Sequence, residues 1–143
     1  MTLVIDASVA VKWLVPEPDN ERALALYDRA SGQMHAPDLL LVEVAGAVVR
    51  RANERLIDLS EARDLLDEWL TMSAAPAMVS HTIRWELVRS AARLAIDLGH
   101  PIKDCVYLAL AIELGCPLVT ADVKFRDRAV ARYPGVKLLA EFA

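Results

Sequence analysis

Cysteine is scarce in this chain. Cys105 and Cys116 are the only two, both lie in apolar surroundings, and they do not form a ligand pair at zinc-site spacing. They read as small core residues, and no disulfide is implied. Positive charge is also short: 16 Lys and Arg stand against 20 Asp and Glu, a net charge of −4. That balance argues against a protein that holds nucleic acid by bulk electrostatics. Basic residues are only locally grouped, at Arg50, Arg51 and Arg55 and at Lys124, Arg126, Arg128 and Arg132, as on solvated helix faces. No uncharged apolar run reaches the roughly 18–20 residues that span a bilayer. Met1 leads straight into the strand-like Thr2-Leu3-Val4-Ile5, with no basic leader segment or cleavage site, so a cytoplasmic protein is expected. Repeats, low-complexity tracts and long linkers are missing too. What is present is a chain of 143 residues, 55% of them apolar, which predicts one domain over 1–143 with a substantial core.

Short strand candidates fall at 2–6, weakly at 34–36, and at 77–80, 117–121 and 136–139. Helical stretches separate them. One starts near Ala7 and stops before Pro16 and Pro18. A second, capped by Asp19 or Asn20, runs to Ala30 with Gly32 as its stop. A third opens at Pro37-Asp38 and runs to about Asn53; a fourth starts at Leu59-Ser60-Glu61, with Leu65, Leu66, Trp69 and Leu70 at helical spacing. These two predict an αα-hairpin projecting from the sheet. Helices over 83–98 and 103–114 end at Gly99 and Gly115. The alternation predicts an α/β fold, a three-layer α/β/α sandwich on a short parallel sheet whose strand C-termini share one edge.

Four acids stand in or beside apolar stretches: Asp6, Glu43, Asp104 and Asp122. Asp6 ends the first strand, where open α/β sheets place ligands, although an Asp there also makes a good helix N-cap. Ser8 is an alternative cap, so Asp6 is not needed for that role. Asp122 repeats the pattern after Leu118–Ala121, with Thr120 two residues away. Glu43 sits early in a helix among Leu39-Leu40-Leu41-Val42 and Val44-Ala45, where an unpaired buried charge costs several kcal/mol; an ion pair with a buried Arg or Lys is the simple alternative. Asp104 opens a helix, a common place for a carboxylate. Together the four converge on one sheet edge. At about 4 Å and an effective dielectric of ~20, each pair of carboxylates repels by roughly 4 kcal/mol, which divalent cations would offset. Oxygen-only ligands select Mg²⁺ or Mn²⁺, one or two ions, and the matching chemistry is phosphodiester hydrolysis by metal-activated water. Ser8 and Thr120 would orient the carboxylates. Lys12, Arg51, Lys103 and Lys124 lie near these motifs as candidate phosphate contacts.

The segments Asp6-Ala7-Ser8-Val9-Ala10-Val11-Lys12-Trp13, Pro37 through Glu43, Lys103 through Ala111, and Leu118-Val119-Thr120-Ala121-Asp122 closely resemble the PIN domain family. Within it, the chain looks like the VapC toxins of toxin–antitoxin pairs, over nearly its whole length. The resemblance implies a Mg²⁺- or Mn²⁺-dependent endoribonuclease toxin, a homodimer, held inactive by a small VapB-type antitoxin whose tail blocks the acidic site. It assigns Asp6, Glu43, Asp104 and Asp122 as metal-binding acids, with Thr120 assisting. One departure is Cys105, where the family commonly has Ala. The alternative within the same fold is a non-toxin or non-catalytic PIN module that binds RNA or a protein partner.

Other folds fit less well. A haloacid-dehalogenase-like phosphatase needs a second Asp where Ser8 stands, and a receiver domain needs an Asp where the third strand ends Val79-Ser80-His81. His35, His81 and His100 are scattered and read as structural or surface residues. Trp13, Trp69 and Trp85 fall on amphipathic helices, as core or dimer contacts.

Overall fold

The computed structural model describes residues 1–74 and 76–142. Five strands, β1 (Leu3–Ile5), β2 (Met34–Pro37), β3 (Met78–His81), β4 (Leu118–Thr120) and β5 (Val136–Leu138), form one sheet in the order β3-β2-β1-β4-β5, and every pairing is parallel. The chain builds the sheet outward from β1 to β3, then returns to the other side of β1 for β4 and β5. A crevice therefore opens between the C-terminal ends of β1 and β4, the place where such sheets bind ligands. Both strands are buried along their whole length, as expected of apolar runs covered on two faces.

Helices α1 (Ala7–Ala10), α2 (Asn20–Arg29), α3 (Leu39–Asn53) and α4 (Leu59–Met72) form the crossovers from β1 to β3. Helices α5 (Trp85–Leu98) and α6 (Ile102–Leu114) carry the return to β4; α7 (Val123–Ala129) and the short α8 (Leu139–Phe142) follow. Right-handed crossovers put the two groups on opposite faces, completing the expected three layers. α6 is buried continuously from Cys105 to Ala111 and lies against β1, β2 and β4. Gly99 (φ 61°) and Gly115 (φ 64°) end α5 and α6 in the left-handed conformation that glycine adopts without strain.

Some local readings change. The first helix gives way after Ala10 to a 3₁₀ turn over Val11–Trp13. Asp19 precedes α2 in a left-handed conformation (φ 65°) and makes no side-chain cap. α7 was not anticipated, because seven residues rich in charge carry little periodic signal.

Aromatic packing fixes α3 against its neighbours. Trp13 and Trp69 are buried; Trp13 meets Tyr27 edge-on at 4.9 Å between ring centroids and donates from Nε1 to the Ala23 carbonyl at 2.9 Å. Trp69 Nε1 donates to the Leu41 carbonyl at 3.1 Å. The α3–α4 hairpin is thereby pinned two residues before Glu43. Trp85, by contrast, is 68% exposed.

Candidate active site

Asp6 and Asp122 follow β1 and β4, the two strands that flank the crevice. Each caps the helix behind it: Asp6 Oδ1 accepts from the Val9 amide at 3.3 Å, and Asp122 Oδ1 accepts from the Phe125 amide at 3.0 Å. The capping alternative is thus realised at both positions, and Asp6, not Ser8, is the cap of α1. Ser8 is engaged elsewhere. Its hydroxyl donates to Asp6 Oδ1 at 2.6 Å, accepts from the Ala121 amide at 2.9 Å, and lies 3.3 Å from Thr120 Oγ1. Thr120 Oγ1 in turn accepts from the Asp122 amide at 3.1 Å. Two hydroxyls therefore stitch the ends of β1 and β4 together and fix both carboxylates.

Capping does not account for the burial of Asp6, which is only 3% exposed. Burial pushes its carboxyl from 3.8 up to about 6; the Ser8 and Thr120 hydroxyls pull it back, and the charge of Asp104 pushes it further up. Among the described residues Asp6 has hydroxyl and amide donors but no cationic partner, and it lies within electrostatic reach of Asp104.

Glu43 lies one turn into α3, half-buried, and accepts from the Tyr107 hydroxyl at 2.5 Å. Lys103 Nζ stands 3.9 Å from its other oxygen, but the lysine is 69% exposed, so the ion-pair reading is met only by a solvent-screened contact. Asp104, in the first turn of α6, holds His100 Nε2 at 2.6 Å. Arg128 Nη1, which can only donate, lies 3.2 Å from His100 Nδ1, so Nδ1 accepts and the Nε2 proton points at Asp104. The His100 ring stacks on Phe125 at 4.9 Å.

Tyr107 and His100 are the functional candidates that the sequence did not single out. Tyr107 is fully buried; burial and the Glu43 contact, with the charges of Asp6 and Asp104, raise its hydroxyl far above the ordinary value and keep it a proton donor. Its hydroxyl sits amid three of the four acids. The available signals were spacings around the start of α6: Tyr107 three residues after Asp104 on the helix, and His100 four before it, just ahead of the helix. Cys105 is buried, its thiol pushed up to about 11 by burial and by Asp104, and so is unreactive.

The expected phosphate contacts are partly occupied. Glu17, between Pro16 and Pro18, accepts from Arg51 Nη2 at 2.8 Å and from Lys12 Nζ at 3.2 Å. These three side chains, with Ser8, Glu43 and Asp122, line a groove of about 510 Å³ beside the acids. Lys124 is exposed and makes no side-chain bond among the described residues.

All four acids thus gather at one sheet edge. Among the described residues, no three His, Cys, Asp or Glu side chains converge closely enough, as they stand, to hold an ion. Three instead turn to proton donors of the protein: Asp6 to Ser8, Glu43 to Tyr107, Asp104 to His100. The donor set itself, carboxylate oxygens around an uncompensated buried Asp6, fits a hard divalent cation.

A model described as PIN domain matches residues 3–131. The chain is similar to Ribonuclease VapC3 of Pyrobaculum aerophilum, with 31% identity over 90% of this chain and 95% of that one. In fold it is similar to Mycobacterium tuberculosis VapC20, a sarcin-ricin loop cleaving toxin, with a TM-score of 0.72 and 11% identity over 88% of this chain and 94% of that one. It also matches a chain of a toxin–antitoxin complex from Klebsiella pneumoniae, with a TM-score of 0.65 and 15% identity over 96% and 98% of the two chains.

Proposed function

The chain belongs to the PIN domain family, and from that premise we propose that it is a metal-dependent endoribonuclease, the toxin of a type II toxin–antitoxin pair. The observation that carries this reading is the buried Asp6, held up to about 6 by burial and by Asp104, at the crevice between β1 and β4. A Mg²⁺ or Mn²⁺ ion, one or two per site, bound by Asp6, Glu43, Asp104 and Asp122 would polarise a phosphoryl oxygen and acidify the attacking water.

The chain's own residues prepare for this. Ser8 and Thr120 hold the carboxylates at the strand ends, Tyr107 aims Glu43, and His100 aims Asp104. Lys12 and Arg51 face the groove and would bind phosphates of the RNA chain once Glu17 gives way. The partner would be a VapB-type antitoxin whose tail enters the acidic groove; the likeness to a chain from a toxin–antitoxin complex supports an antitoxin partner only. The unconverged side chains favour a second reading, a non-catalytic module that binds RNA or a protein partner.

The test is cleavage of labelled total RNA by antitoxin-free protein in Mg²⁺, in Mn²⁺ and in EDTA, with Asp6→Asn and Asp104→Asn alongside. Discrete products that require metal and disappear in both variants are expected. Cleavage that persists in EDTA or in either variant would overturn the metal mechanism. No cleavage by folded, metal-saturated protein would favour the binding module.

A further inference from the structure

The basic group around α7 is mostly neutralised within the chain. Arg126 is held by Asp127 and Glu141, and Arg132 by Asp97. Of these arginines and Arg128, only Arg128 has no carboxylate partner among the described residues. Its Nη1 donates instead to the Gly99 carbonyl, where α5 ends, at 2.9 Å, and to His100 Nδ1 at 3.2 Å. The His100 side chain is 5% exposed and is held on three sides. Arg128 takes one edge of the ring, Asp104 takes the other, and Phe125 lies against one face with 24° between the ring planes. Phe125 and Arg128 stand three residues apart, on one side of α7. Asp122 caps that helix through the Phe125 amide. One short helix therefore meets two of the acids, Asp122 directly and Asp104 through His100.

We propose that Arg128 is a positioning residue for Asp104, acting through the His100 ring. A neutral imidazole has one N–H and one lone pair, and a half turn about its last torsion exchanges ring nitrogens for ring carbons at little cost. Where water hardly enters, an unmatched ring nitrogen is costly, so the orientation that satisfies both nitrogens wins. Arg128 can only donate, which makes Nδ1 the acceptor and leaves the Nε2 proton for Asp104 Oδ2. With Oδ2 held, Oδ1 makes no bond among the described residues and is left for a cation. Without Arg128, Nδ1 has no donor, the ring is free to turn, and Asp104 loses its fixed aim. The place of Arg128 does not itself depend on His100, because the carbonyl at the C-terminal end of α5 anchors it. The inference rests on the reading of these acids as metal ligands.

Nitrogen NMR of the imidazoles in the full, metal-free chain in EDTA, followed by calorimetric titration with Mn²⁺, tests it. His100 of wild type should show a proton on Nε2 and a bare Nδ1. Arg128→Ala should lose that single pattern and bind Mn²⁺ roughly tenfold more weakly, as expected when a group supporting a metal ligand is released. Arg128→Lys keeps a donor and should restore both. In a His100→Gln background, whose amide donates to Asp104 unaided, Arg128→Ala should change Mn²⁺ affinity no further. A residue that merely braces the end of α5 would weaken both backgrounds alike. Arg128 is exposed, and circular dichroism reports that the variants are folded. A wild-type ring with its proton on Nδ1, or on both nitrogens, would overturn the inference. So would an Arg128→Ala chain with unchanged spectrum and affinity, or an equal loss in the His100→Gln background. A wild type that shows the expected ring but takes up no Mn²⁺ would overturn the metal reading, and the inference with it.

Discussion

Asp6→Asn removes a charge that the fold holds at a cost. Burial, with a smaller push from Asp104, raises the carboxyl from 3.8 to about 6. A carboxylate raised in this way charges more easily in the unfolded chain. Its contribution to stability is therefore greatest at acid pH, falls as pH rises from about 3.8 to about 6, and stays low above that. At roughly 1.4 kcal/mol for each tenfold change in proton affinity, the cost above pH 6 is about 3 kcal/mol. Asparagine keeps an oxygen for the Ser8 hydroxyl and the Val9 amide but carries no charge. In EDTA at pH 8 the variant should melt higher than wild type, by roughly 6–12 °C for a chain of this size. Near pH 4 the two should converge. Mg²⁺ should raise the melting temperature of wild type and leave the variant nearly unmoved. Equal melting temperatures in EDTA at pH 8 would refute the uncompensated charge, and equal shifts with Mg²⁺ would refute Asp6 as a ligand.

Tyr107→Phe removes only the hydroxyl that aims Glu43; Mn²⁺ affinity measured by calorimetry should fall by about 10–100-fold while the fold is kept. Glu17→Gln releases Lys12 and Arg51 from their shared carboxylate. Binding of RNA to a cleavage-dead Asp104→Asn background should tighten and become more salt-dependent, as filter binding at several ionic strengths would report. Trp69→Ala deletes a buried side chain and its bond to the Leu41 carbonyl, and should cost about 3–5 kcal/mol by urea denaturation.

Most of the architecture was legible because its signals are local. β1 is an uninterrupted apolar run, β4 is apolar up to its closing Thr120, and Gly99 and Gly115 stand where α5 and α6 end. α7 was missed because its seven charged-rich residues are shaped by the Asp122 cap and by packing of Phe125 and Ala129, not by a periodic face of their own. The four acids were visible as charges inside apolar runs. Their supporting groups were not: Tyr107 reads as core until its hydroxyl is seen at Glu43, and His100 as a surface residue until it meets Asp104. The Glu17 contact is less legible still, since it joins residues 34 apart through a proline-flanked loop that carries no motif. The exchange of capping roles between Asp6 and Ser8 depends on Ala121, which is far off in sequence and adjacent only once β1 and β4 pair.

Asp6, Glu43, Asp104 and Asp122 should together hold a divalent cation at the ends of β1 and β4. Anomalous diffraction from crystals grown with Mn²⁺ tests it most directly. A manganese peak bounded by Asp6 and Asp104, within coordinating distance of their carboxylate oxygens, is expected, with Glu43 or Asp122 turned toward it. Fully ordered side chains in saturating Mn²⁺ with no peak there, or a peak on other residues, would contradict it.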